Sequence, residues 1–138
     1  MIVAPLPLRG FVLLAGVLLS SLLCAGCSLL PGWAGGGDGL VHIDLDNEYR
    51  VRETMGIGET LLLDMRSPAR SGYEMAGASF DPAVVRLDAV HPDPDDPERV
   101  HYVFVTLTPG DTLIEVTMLP VGGGEKVTYK IVDLTVEQ

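Results

Sequence analysis

The stretch Thr112–Leu119, TLIEVTML, alternates in chemistry: Ile114, Val116 and Met118 fall on one side, Glu115 and Thr117 on the other. A two-residue period marks a half-buried β-strand, because successive side chains of an extended chain point to opposite faces of its sheet. Outward from this stretch, similar short runs recur between Gly, Pro and Asp turns. They place strands at approximately Leu40–Leu45, Tyr49–Thr54, Thr60–Met65, Tyr73–Ala78, Val84–Val90, Val100–Leu107, Thr112–Leu119 and Lys126–Val136. No window after Leu40 sustains a 3.6-residue period. In the last run the apolar parity changes from Val127, Tyr129 and Ile131 to Val132, Leu134 and Val136, which predicts a bulge near Ile131. The expected fold is all-β, an immunoglobulin-like β-sandwich of about seven or eight antiparallel strands.

Antiparallel succession from Thr60 onward sends alternate connections to opposite ends of the sandwich. One end then gathers 66–72 (RSPARSG), 91–99 (HPDPDDPER) and 120–125 (PVGGGE), all longer than a hairpin turn requires. The other end receives only the compact Asp-Pro and Pro-Gly turns of 79–83 and 108–111. Long loops gathered on a rigid scaffold are where binding surfaces are commonly built, and free drift of loop length gives the same pattern.

Before the strands lies a different kind of sequence. Arg9 precedes an uncharged run, Phe11–Leu23, and the small residues Ala25 and Gly26 follow it, which is the layout of an exported precursor. Leu23-Cys24-Ala25-Gly26-Cys27-Ser28 resembles the lipobox of bacterial lipoproteins, with Cys24 where leucine is most frequent. The resemblance implies a signal peptide over 1–26, cleavage before Cys27, and a lipid (diacylglycerol, palmitate or similar chains) on that cysteine. Neither an uncleaved membrane anchor nor an ordinary cleaved signal needs a cysteine after Ala-Gly, so the lipoprotein reading is preferred. Ser28, not Asp, at the next position implies the periplasmic face of the outer membrane if the organism is diderm. Residues 27–39 form a lipidated cysteine and Gly-rich tether: Pro31 and five glycines exclude a regular element. A coil of this length reaches about 5–6 Å × √n, roughly 20 Å from the bilayer.

Of 138 residues, removal of the leader's 26 leaves 112, enough for one core, here assigned to 40–138. The leader holds Arg9 and no acid, so 8 basic side chains remain against 19 acidic ones, a net charge of −11. That balance argues against a nucleic-acid partner. With Cys24 removed and Cys27 acylated, no thiol remains for a disulfide, and the core alone must hold the domain.

The segment 58–136 resembles the chagasin-like inhibitors of papain-type cysteine proteases, which have an immunoglobulin-like fold and wedge three loops from one end into the protease cleft. The resemblance rests on Gly58-Glu59, on Ser67-Pro68-Ala69-Arg70-Ser71-Gly72-Tyr73, and on Phe80-Asp81-Pro82-Ala83-Val84-Val85-Arg86-Leu87. The family's first loop reads Asn-Pro-Thr-Thr-Gly before an aromatic. Here Pro68, Gly72 and Tyr73 match, while Ser67 replaces the asparagine and Ala69, Arg70 and Ser71 span the two threonines. Leu119-Pro120-Val121 stands where the family has Arg-Pro-Trp, and only Pro120 is shared. The middle loop is Gly-rich in the family and acidic here. The resemblance implies protein-binding roles for Ser67, Pro68, Ala69, Arg70, Ser71, Gly72, Tyr73, Leu119, Pro120 and Val121.

His42, Asp44 and Asp46 share one face of a single strand, but metal ligation normally draws on more than one element. A solvated edge-strand face is therefore expected, with no metal site and no cofactor. Asp93, Asp95 and Asp96 lack the Gly and terminal Glu of a calcium loop. No G-x-S-x-G, HExxH or P-loop occurs, so no catalysis is expected. Two functions follow: a membrane-anchored chagasin-like module inhibiting a papain-type protease, or a non-inhibitory structural or assembly adaptor of the cell envelope. The expected partners are the lipid bilayer and either such a protease or another envelope protein.

Overall fold

The computed structural model describes residues 39–138; the leader, Cys27 and the tether through Asp38 lie outside the described residues. Eight strands form where the alternation predicts them: β1 (Leu40–Asp44), β2 (Arg50–Gly56), β3 (Thr60–Arg66), β4 (Tyr73–Ser79), β5 (Val85–Pro92), β6 (Arg99–Thr106), β7 (Gly110–Pro120) and β8 (Val127–Glu137). Two four-stranded sheets result, ordered β1-β3-β6-β5 and β2-β8-β7-β4. This is the expected immunoglobulin-like sandwich. Its sheets are mixed, however: β1 runs parallel to β3 and β2 parallel to β8, while the remaining pairs are antiparallel. The chain changes sheet between β1 and β2, so these strands are not hairpin partners. Each instead takes an outer position beside a strand running its own way.

The alternation decides what is buried. Ile114 and Val116 are fully enclosed, facing Val132 and Leu134 of β8, and across the sandwich lie Leu61, Leu63, Tyr102 and Phe104. Phe80 packs edge-to-face on Phe104 with ring centroids 5.3 Å apart. Burying each such side chain contributes about 1.5–3 kcal/mol, and truncating Phe104 to Ala costs about 3–5 kcal/mol. No cysteine lies in the described residues, so this packing, not a disulfide, holds the sheets together.

The bulge in β8 falls two residues before the expected position. Val116 pairs with Lys130 but Thr117 with Thr128, which leaves Tyr129 as the extra residue. The consequence is a change of parity: Lys130, Val132, Leu134 and Val136 all point inward, and Ile131 remains outside the core. A lysine thereby enters the core layer.

Candidate functional site

The three long connections meet at one end. Arg66 at the end of β3 pairs with Arg99 at the start of β6, and Tyr73 at the start of β4 pairs with Pro120 at the end of β7. Loop 66–72 is the middle of the three. On one side the Ser67 N–H donates to the Glu98 carbonyl at 2.7 Å; on the other, the Val121 N–H donates to the Gly72 carbonyl at 2.9 Å. The ten residues from Ser67 to Tyr73 and from Leu119 to Val121 therefore form one continuous strip, with 91–99 joined to its flank.

Local chemistry explains the loop shapes. Pro68–Ser71 form a single 3-10 turn: Ser67 caps it, its Oγ accepting from the Ala69 N–H at 3.4 Å, and Pro68 stands at the first position with its ring buried. Gly72 ends the turn at φ 82°, a left-handed conformation that glycine adopts without the Cβ penalty. Tyr129, displaced by the bulge, donates its hydroxyl to the Arg66 carbonyl at 2.9 Å and secures the base of the loop. Arg70 is exposed and pairs with Glu98. In the acidic loop, Asp93 Oδ1 accepts from the Asp95 N–H at 2.8 Å and Asp96 Oδ1 from the Glu98 N–H at 3.1 Å, two turns closed by their own side chains. The third loop opens with Pro120 and Val121, the latter 66% exposed, followed by three glycines. A small cleft of about 160 Å³ opens between the first two loops, lined by Arg66, Ser67, Ala69, Arg70, Pro97 and Glu98. A larger recess, about 350 Å³, lies instead on the outer face of the second sheet by Arg52, Asp111 and Asp133.

The opposite end is tied down. Thr108 Oγ1 donates to the Ala83 carbonyl at 2.8 Å, the Asp81 N–H to Thr112 Oγ1 at 2.9 Å, and the Leu107 N–H to the Val84 carbonyl at 2.8 Å.

A fourth connection, Leu45–Tyr49 between β1 and β2, joins the loop end; it precedes Thr60 and so lies outside the antiparallel succession that predicts the other three. Lys130 Nζ donates to the Leu45 and Glu48 carbonyls of this crossover, the latter at 2.7 Å. Burial pushes the Lys130 ammonium pKa down, while the negative charges of Asp46, Asp44 and Glu48 oppose that shift. Its signal in the sequence was position: Lys130 shares the inward parity of Val132, Leu134 and Val136.

Beside it, Arg99 gathers the carboxylates. Its Nε donates to Asp64 Oδ1 at 2.7 Å and its Nη1 to Asp46 Oδ2 at 2.6 Å; Nη2 lies 3.3 Å from Asp44 Oδ1 without making a hydrogen bond. Burial pushes the Asp46 and Asp64 carboxyls up, but the hydrogen bonds from Arg99, with those from Arg66 on Asp46 and His42 on Asp64, outweigh it and hold both below the usual range. Those same bonds raise Arg99. His42 and Asp44 are exposed on β1, an edge strand, as expected; Asp46 lies beyond the end of that strand, in the crossover, sheltered against Arg66 and Arg99, and the face of His42 and Asp44 continues onto β3 and β6 through Asp64 and His101.

No protein-family model matches this chain, and no curated protein does. Among solved structures it is similar to a cysteine protease inhibitor from Entamoeba histolytica, at 13% identity over 72% of this chain and 96% of that one, with a TM-score of 0.58. PbICP-C, solved in complex with falcipain-2, matches at 16% identity over 72% and 99% of the two chains, TM-score 0.48. Amebosin matches at 15% identity over 73% and 100%, TM-score 0.44. At these identities the likeness to the Entamoeba histolytica inhibitor is one of fold.

Proposed function

We propose that this protein is a membrane-anchored lipoprotein, acylated at Cys27, whose sandwich presents loops 66–72, 91–99 and 120–125 to a papain-type cysteine protease and inhibits it. The observation carrying this reading is the joined strip of loops, in which Gly72 and Val121 are hydrogen-bonded to each other and Ser67 to Glu98. Such a surface is already ordered before it meets a partner, so little conformational entropy is lost on binding. A protease takes its substrate as an extended strand. The 3-10 turn at Pro68–Ser71 is not extended, which favours occupation of a cleft without cleavage. Exposed Val121 supplies an apolar tip, and the glycines after it allow close backbone approach. The fold shared with a named cysteine protease inhibitor supports the same reading.

Inhibition is tested by titrating papain or a cathepsin with the full chain in detergent. Stoichiometric loss of activity is expected, and none at micromolar protein would exclude inhibition of these proteases. That result would favour the second reading, a non-inhibitory envelope adaptor, for which the specific observation is the acidic second loop and the Arg70–Glu98 pair in place of uncharged contact residues. Anchoring is tested separately with Cys27→Ser, which should lose the lipid mass and the membrane association. In a diderm cell the mature protein should fractionate with the outer membrane, facing the periplasm.

A further inference from the structure

All three histidines of the chain, His42, His91 and His101, lie on the outer face of the β1-β3-β6-β5 sheet. Cross-strand register aligns Asp44, Asp64, His101 and His91 as successive partners over its four strands. His101 Nε2 lies 3.5 Å from Asp64 Oδ1 and 3.5 Å from Asp93 Oδ2, and one donor atom from each of these three residues falls within 4.8 Å of the others. Zinc bonds to nitrogen and oxygen of about 2.0–2.2 Å give a tetrahedron whose edges are about 3.3–3.6 Å. Both His101 separations fit such an edge. The three side chains are sheltered, with 10%, 13% and 18% exposure for Asp64, His101 and Asp93.

We propose that Asp64, His101 and Asp93 form a site for a first-row divalent cation of zinc type, which fastens the acidic loop 91–99 to the sheet. The ligands come from two strands and a loop. Each is oriented by neighbours. Asp93 has Oδ1 engaged by the Asp95 N–H and its own N–H on the Arg99 carbonyl at 3.0 Å, which leaves Oδ2 toward His101. Asp64 receives Arg99 Nε on Oδ1 and lies 3.3 Å from His42 Nε2 through Oδ2, the kind of outer shell that fixes a ligating carboxylate. Charge agrees: Asp44, Asp46, Glu48, Asp64 and Asp93 carry five negative charges against three positive ones on Arg66, Arg99 and Lys130. A divalent ion balances the remainder. One imidazole and two carboxylates suit zinc or cobalt; calcium requires six to eight oxygen ligands. Water would complete the coordination; the His91 ring centroid lies 5.3 Å from that of His101.

The test uses the untagged full chain, stripped with EDTA, dialysed, and titrated with Zn²⁺ by calorimetry and with Co²⁺ by visible absorption. One ion per chain is expected, with the ligand-field band of a low-symmetry cobalt site. His101→Ala should remove that band, and Asp93→Asn, in a loop where folding is least at risk, should weaken binding by more than about tenfold. His42→Ala should weaken it by about 10–100-fold if His42 orients Asp64. Amide exchange in 93–98 should slow on adding Zn²⁺. Absence of binding at millimolar ion, or binding unchanged in both His101→Ala and Asp93→Asn, overturns the proposal; the second result would mean a proton-only histidine and carboxylate cluster.

Discussion

Replacing Arg99 with methionine keeps much of the aliphatic stem and removes the guanidinium from three carboxylates. Two charge-assisted hydrogen bonds are lost, at 2.7 Å to Asp64 and 2.6 Å to Asp46, each contributing about 1.5–3 kcal/mol. Breaking an ion pair in a protein interior costs about 3–5 kcal/mol, mostly through the charge left behind. The side chains of Arg99, Asp64 and Asp46 are 13%, 10% and 16% exposed, so water offsets part of this, and a loss of about 3 kcal/mol is expected. For a domain of about 100 residues that corresponds to roughly 12–24 °C in Tm. The pH dependence identifies the cause. In the wild type, Asp46 and Asp64 have lowered pKa values, so their stabilisation is complete above the unfolded value near 3.9 and is lost as pH falls through the folded values. Burial is already the largest single influence on Asp64; without Arg99 less opposes it, and its pKa rises. The variant is then penalised at neutral pH and relieved on acidification. Thermal unfolding followed by circular dichroism in EDTA at pH 7 and about pH 4 should therefore show the gap between the proteins narrowing at the lower pH. A gap below about 1 kcal/mol at pH 7, or one equal at both pH values, would refute the reasoning.

Gly72→Ala should cost about 1–2 kcal/mol from backbone torsion alone, since φ is 82° and an added Cβ meets no atom within 4 Å; chemical denaturation checks the cost, and titration against papain checks the loop. Tyr129→Phe should cost about 0.5–1.5 kcal/mol through loss of the hydroxyl bond to Arg66 and should speed amide exchange in 66–72. If loop 91–99 lies at the rim of a protease complex, Asp93, Asp95, Asp96 and Glu98 should steer association. Stopped-flow rates at low and high ionic strength should then differ, with Asp95→Asn changing the salt dependence more than the dissociation rate.

Alternation carried the positions of the strands, because one face of every strand meets the core: Ile114 and Val116 are buried as the two-residue period requires. It carried nothing about which strands pair. The parallel placement of β1 beside β3 and of β2 beside β8 depends on the crossover at Leu45–Tyr49, whose local sequence resembles any turn. The loop strip was legible in outline because alternate connections of antiparallel strands fall at alternate ends, and Gly72 and Pro68 mark a capped turn. Its companions were not. Asp64 and His101 are 37 positions apart and meet only through the β3–β6 register, which has no local signature. Lys130 is legible in principle, but the change of apolar parity points to a bulge near Ile131, whereas the extra residue is Tyr129, and that difference hides the inward lysine.

The inward lysine connects the core to the binding end. β1 and β2 belong to different sheets, so the crossover between them spans the sandwich at the end where the loops emerge. Lys130 holds the crossover by its carbonyls from a position on β8, in the second sheet, while Asp46 of the same crossover is held by Arg66 and Arg99 of the first. Both sheets are thus tied to one short segment. Arg66 and Arg99 are also the residues from which loops 66–72 and 91–99 depart, and Tyr129, adjacent to Lys130, bonds the Arg66 carbonyl. A bulge of one residue in β8 is what lets Tyr129 reach the loop while Lys130 turns to the crossover. The crossover and the bases of loops 66–72 and 91–99 are consequently held by the same charged cluster, while the apolar core holds the sheets, so substitutions in the cluster should alter loop presentation before they unfold the domain.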